Sequence, residues 1–140
     1  MNGYTDREVA DFLAGSKTVA VVGLSQDPGK DSYQVASYLQ SQGYEIIPVN
    51  PNARTILGRP ARASLTEISE TVDIVVVFRK SDDVAPIIDG AIKIGAKGVW
   101  LQLGITSPAA EAKALGAGLF VISDRCIMTQ HRRLLARAQM

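Results

Sequence analysis

Residues Ile74–Val77 read I-V-V-V, with no polar position among them. A strand with one wet face alternates apolar and polar residues. An unbroken β-branched run needs cover on both faces, as in a parallel sheet packed between helices. The strand around it is expected over Val72–Phe78, and four more short, mainly apolar runs stand at Thr18–Val22, Tyr44–Val49, Gly98–Leu101 and Leu119–Ile122. Each is followed by a stretch read as helical. The alternation predicts a five-stranded parallel sheet with right-handed crossovers, a three-layer doubly wound (Rossmann-like) α/β fold with helices on both faces.

The helices carry their own start and stop signals. Thr5-Asp6-Arg7-Glu8 is a capping box, followed by Val9, Phe12 and Leu13 on one face and a stop near Gly15. Asp31 or Ser32 is expected to cap a second helix bearing Val35, Ala36 and Leu39 and ending by Gly43. Ala53–Ala63 reads as irregular, and Ser64-Leu65-Thr66-Glu67 as another capping box before a short helix. Ser81–Ile94 is expected to be helical, with Pro86 limiting how early it begins. Ser107-Pro108 opens a fourth helix to about Leu115, and Ile127–Met140 reads as an arginine-rich last one.

A chain of 140 residues fits one ordinary domain spanning 1–140. The net charge of +1 gives no basis for electrostatic attraction to nucleic acid or an acidic membrane. Cys126 is the single cysteine, so an intrachain disulfide and a four-cysteine zinc site are excluded. The start, MNGYTDREVADF, is polar and acidic where a secretory signal would be basic and apolar, and no run approaches the roughly 20 apolar residues of a membrane span. The expectation is a cytoplasmic protein.

In a doubly wound sheet, ligands lie beyond the carboxyl ends of the strands, where strand order reverses. The turn after the first strand, Gly23-Leu24-Ser25 with Lys30 ahead of a helix, therefore comes first as a ligand site. Strand, glycine, loop and helix in this order point helical amides at an anion. Two familiar phosphate loops do not match. A dinucleotide fingerprint needs G-x-G-x-x-G and an acid after the second strand, where this chain has Gly23-Leu24-Ser25 and Asn50. A Walker loop needs four residues between its glycines and a hydroxyl after its lysine. Here five residues separate Gly23 from Gly29, and Asp31 follows Lys30. The alternative for this turn is a tight connection with a solvated lysine. Arg54, Arg59 and Arg79 are each candidates for plain solvation; gathered at one crevice they would suit a multiply phosphorylated small ligand.

His131, the only histidine, has no readable serine–acid partners and is expected to be a hydrogen-bonded residue near the last helix. Cys126 is either a small buried hydrophobe or a thiolate activated by Arg125. No ligand spacing suggests a metal site, and no catalytic constellation is readable.

Five ordered motifs give the chain a family resemblance over about residues 5–135. They are VVGLS at Val21–Ser25, PVNP at Pro48–Pro51, VDIVVVFR at Val72–Arg79, IGAKGVWLQLG at Ile94–Gly104 and DRCIMTQH at Asp124–His131. Through them the chain resembles the small stand-alone CoA-binding-domain family, similar in fold to the N-terminal domain of the succinyl-CoA synthetase alpha subunit. The resemblance implies coenzyme A or an acyl-CoA as the small-molecule nucleotide ligand. It implies pyrophosphate on Gly23, Leu24 and Ser25 with Lys30 nearby. Asn50, Pro51 and Arg54 would face the ribose and its 3′-phosphate, Phe78 and Arg79 would flank the nucleotide, and Gln102 would lie along the pantetheine. The synthetase's phosphorylated histidine belongs to a second domain, so the resemblance lends His131 no catalytic role. Two rival readings are an NAD(P)-binding oxidoreductase or redox sensor, and a regulatory module docking on an acyl-CoA enzyme. A mixed disulfide between Cys126 and CoA is a related expectation.

Overall fold

The computed structural model describes residues 3–136. Its central sheet joins β1 (Thr18–Val22), β2 (Glu45–Val49), β5 (Ile74–Val77), β6 (Gly98–Leu101) and β7 (Phe120–Ile122). All neighbouring pairs are parallel, and the order across the sheet is β2-β1-β5-β6-β7. The fold is the expected doubly wound α/β arrangement, with its reversal of strand order between β1 and β5.

Alternation along each strand sorts the core into two layers. Val19, Val21, Ile74, Val76 and Trp100 face α1 (Asp6–Gly15), α2 (Asp31–Ser41) and α5 (Ile127–His131), burying Leu13, Val35, Leu39 and Ile127. Ala20, Val22, Val75, Val77, Val99 and Leu101 face α3 (Val84–Lys93) and α4 (Pro108–Gly116), burying Val84, Ile88, Ala91 and Ala114. The uninterrupted I-V-V-V of β5 is thereby explained, since all four residues are buried between the layers.

Local departures from the sequence reading each have a cause. Lys30, and neither Asp31 nor Ser32, is the N-cap of α2, because the Ser32 hydroxyl is turned to the Ser25 amide at 2.9 Å. The 53–63 segment is not wholly irregular. It holds a small antiparallel hairpin, β3 (Thr55–Ile56) with β4 (Arg59–Pro60), closed by Leu57 and Gly58 at φ +55° and +73°. The Ser64 box forms only in part. Glu67 reaches back to the Ala63 amide, but Ser64 makes no capping bond, and one 3₁₀ turn, Leu65–Glu67, results. Ser81–Asp83 is likewise a 3₁₀ turn, which leaves Pro86 in the first turn of α3. After α5 the chain widens into a π-helical turn, Arg132–Ala136; the rest of the expected last helix lies outside the described residues.

Register sets up the site. Val22 pairs with Val49 and Val77, and Val77 with Leu101. The next residues along the chain, Asn50, Gly23, Phe78 and Gln102, therefore stand side by side across the carboxyl rim.

Candidate functional site

Gly23 lies at the point of reversal and is fixed by its neighbours. Its φ is +84°, and a Cβ there would sit 2.7 Å from the Phe78 carbonyl oxygen and 3.0 Å from the Arg79 Cδ. The turn and the exit of β5 press together, so only glycine fits. Its amide donates to the Val49 carbonyl at 3.0 Å, and Phe78 N–H donates to the Val22 carbonyl at 2.9 Å. Beyond it the Ser25 hydroxyl accepts from the Asp27 amide at 3.0 Å, and Asp27 in turn accepts from the Gly29 amide. The loop is thus held in shape by its own side chains. The first amides of α2 have no carbonyl partner within the helix and open toward this loop.

Asn50 ties the two loops of the rim together. Its Nδ2 donates to the Leu24 carbonyl at 2.9 Å, and its Oδ1 accepts from the Asn52 amide at 2.8 Å. Both ends of the side chain are engaged within the protein, so Asn50 shapes the rim from inside. Leu24 likewise supports it from below, fully buried in the α2-side core. Pro51 is exposed at the edge.

Three cavities open along the rim, and Arg79 lines all of them. One, of about 400 Å³, runs between the two loops past Gly23, Ser25, Asn50 and Pro51. A second, of about 330 Å³, is mostly apolar, with Val22, Val49, Leu65, Pro86 and Ile87 in its walls. The third, of about 380 Å³, lies over the β6 end and is lined by Asp31, Phe78, Gln102, Leu103, Ile105 and Cys126. Arg79 is half exposed and rests on Asp83, with 3.3 Å between Nη2 and Oδ2. This i,i+4 surface pair contributes little on its own, and the guanidinium stays half exposed to solvent. Gln102 is buried, and its Oε1 accepts from the Ile127 amide at 2.9 Å, fixing the start of α5. Its Nε2 donates to no protein group among the described residues.

Two expected cations are not brought in. Lys30 and Arg54 are exposed, and neither lines any of the three cavities. Arg59 is paired with Glu45 at 3.2 Å, away from the rim. Asp83, Leu65, Pro86 and Ile87 were invisible in the sequence reading as rim residues, because only the packing of α3 and the 3₁₀ turn against β1 and β2 gathers them.

His131 is buried inside the α2–α5 layer. Its Nδ1 lies 2.7 Å from the Tyr38 hydroxyl, and the rings of Tyr38 and Tyr44 meet it edge-on. Burial pushes the imidazole below its ordinary 6.5, and burial also pushes the Tyr44 phenol up to about 12 while its hydroxyl donates to the Leu13 carbonyl. His131 is hydrogen-bonded at the last helix, as expected from the sequence. Cys126 is half-buried beside Gln102. Arg125, its sequence neighbour, lines a different cavity with Asp6 and Arg133, so the cation sharing the thiol's cavity is Arg79.

The sequence profile of the CoA binding domain matches residues 17–132. The chain belongs to the CoA binding domain family. Among relatives of this CoA binding domain, the uncharacterised protein YneT of Bacillus subtilis is 38% identical over 131 residues, covering 94% of this chain and 97% of YneT. A hypothetical protein from Pyrococcus horikoshii superposes with a TM-score of 0.93 at 37% identity, over 96% of this chain and 95% of that one. The ADP-forming acetate–CoA ligase II of Archaeoglobus fulgidus is 32% identical over 97 residues, 68% of this chain and 14% of the ligase. Among the described residues no helix is long and apolar enough to cross a membrane.

Proposed function

We propose that the chain, as one domain over residues 1–140, binds coenzyme A or an acyl-CoA across the carboxyl rim of its sheet and carries no catalysis of its own. The observation that supports this most is the row of Asn50, Gly23, Phe78 and Gln102 at the strand-order reversal, with Arg79 facing three adjoining cavities, in a member of the CoA binding domain family. The cavities match the chemistry of CoA in sequence. The Gly23–Ser25 turn offers close backbone approach for a pyrophosphate, with the Arg79 guanidinium beside it. The apolar cavity past Val49, Leu65 and Ile87 suits an adenine ring. The third cavity suits the pantetheine arm, since the Gln102 Nε2 can donate to an amide carbonyl while Phe78, Leu103 and Ile105 cover its methylenes. Lys30 and Arg54, exposed in the flanking loops, reach a phosphate only by moving their side chains.

An NAD(P) reading is less well supported, because Asn50 stands where the ribose acid would be and both its polar ends are occupied. Calorimetric titration with CoA, 3′-dephospho-CoA and NADPH separates the readings. The expected result is saturable binding of CoA at one site, with 3′-dephospho-CoA weaker. Equal affinity for the two would remove any cation from the 3′-phosphate. Binding of NADPH without CoA would overturn the proposal.

A further inference from the structure

Cys126 shares its cavity with the site proposed for the thiol-bearing arm, and this invites a chemistry that simple binding does not use. Besides the cysteine, the cavity presents Gln102, which is 5% exposed, uses Oε1 on the Ile127 amide, and leaves Nε2 without a protein partner among the described residues. Since no buried side-chain nitrogen or oxygen among the described residues lacks a partner, this Nε2 opens to the cavity and is free to donate to an acceptor there. Phe78 and Ile105 give the same cavity apolar walls, and Arg79 is shared with the cavity at the Gly23–Ser25 turn. Arg79, Gln102 and the half-buried Cys126 thus line one cavity, which also holds Asp31 and Thr129.

We propose that Cys126 is a site of reversible covalent capture, forming a mixed disulfide with CoA by exchange with a CoA disulfide. This rests on the CoA-binding reading above and adds a redox state to the same site. The Cys126 thiolate, its proton released to solvent, attacks one sulfur of the CoA disulfide. A bond forms between Sγ and that sulfur, the original sulfur–sulfur bond breaks, and the second CoA departs as a thiolate that takes up a proton. The protein sulfur is oxidised and the departing sulfur reduced, so the CoA disulfide is the only co-reactant needed. A small thiol reverses the step by the same exchange. Recognition by the rim turns the exchange into a reaction within a complex, which sets it apart from the reactivity of any exposed cysteine.

The test is intact-protein mass spectrometry without reductant, after exposure of the pre-reduced protein to CoA disulfide or to glutathione disulfide at equal concentration. The inference expects one adduct, of the mass of CoA less two hydrogens, absent in Cys126→Ser and removed by dithiothreitol. It also expects CoA disulfide to react at least about tenfold faster than glutathione disulfide, an advantage that excess reduced CoA abolishes and Arg79→Gln diminishes. Equal rates for the two disulfides, or an adduct persisting in Cys126→Ser, would overturn it. Reduced CoA is titrated in parallel into the wild-type protein under reductant. If CoA binds there but CoA disulfide leaves the mass unchanged, the covalent step fails and the binding proposal stands. If reduced CoA does not bind, both fail.

Discussion

At the scale of single residues, the rim divides into side chains that shape it and side chains free to meet a ligand. Gly23 and Asn50 are shapers. Replacing Gly23 with valine puts a Cβ within 2.7 Å of the Phe78 oxygen at a positive φ, so the turn must shift. The expected outcome is a stability loss of about 1–3 kcal/mol in denaturant titration, together with loss of CoA affinity. Asn50→Ala leaves the Leu24 carbonyl and the Asn52 amide without their partner. Since one bond is exposed and the other only part-buried, the change is expected to cost about 0.5–1.5 kcal/mol of stability, measured the same way. Arg79 is the side chain that the proposed function sets against the phosphates. It is half exposed and, among the described residues, its one ion pair is the surface pair to Asp83, so Arg79→Gln is expected to leave stability within about 0.5 kcal/mol. Its CoA affinity, by calorimetry, should fall roughly tenfold to a hundredfold, the worth of a charged hydrogen bond. Unchanged affinity in Arg79→Gln would place the phosphates elsewhere.

At the scale of elements, the two ends of the sheet do different work. The amino end is tied by Asp73, whose carboxylate accepts from the Lys17 and Thr18 amides at 2.8 and 3.0 Å and pairs with Lys97 at 3.2 Å. Burial alone would raise its pKa, but the two amides and Lys97 together outweigh it and hold the carboxyl below its ordinary 3.8. The folded state thus keeps this group ionised where the unfolded chain would protonate it. Its stabilisation is complete above pH 3.8 and is lost as pH falls through the lower folded value. His131 acts at milder acidity. Its folded pKa is below 6.5, so the unfolded chain takes up a proton first and stability declines as pH drops below 6.5. Denaturation midpoints measured across these two windows should fall in both. His131→Gln should flatten the first decline, and Asp73→Asn the second.

Legibility in the sequence also varied by element. Every strand of the main sheet was readable to within a couple of residues, because burial on two faces leaves a run as plain as Ile74–Val77. The β3–β4 hairpin was not, since its strands are two residues long and its turn is Leu57-Gly58, with no Asn-Gly or Asp-Gly to announce it. The α2 cap was misplaced because Ser32, a good capping residue, bonds across the loop to Ser25 instead. The residues of the rim that follow strands, Gly23, Asn50, Phe78 and Gln102, were readable as candidates. Their division into shapers and ligand-facing groups was not, because it depends on hydrogen bonds between segments far apart in the chain, such as Asn50 to Leu24 and Gln102 to Ile127. The apolar cavity behind Arg79 needed α3 in place to exist at all.

At the scale of the whole molecule, strand order decides where a ligand can lie. The chain crosses from edge strand β2 over β1 to β5, and the loops at that reversal splay apart to opposite faces of the sheet. CoA is long enough in chemical terms to use both sides of the split, with a ring on one, an amide arm on the other and a pyrophosphate between. The most direct test of that placement is the amide NMR spectrum of the isotope-labelled protein titrated with CoA under reductant. Shifts are expected to concentrate at residues 23–27, 50, 52, 78–79 and 102–103, with Lys17, Thr18 and Asp73 at the opposite end unmoved. Saturable shifts centred on that opposite end, or a spectrum that CoA leaves unchanged, would contradict it.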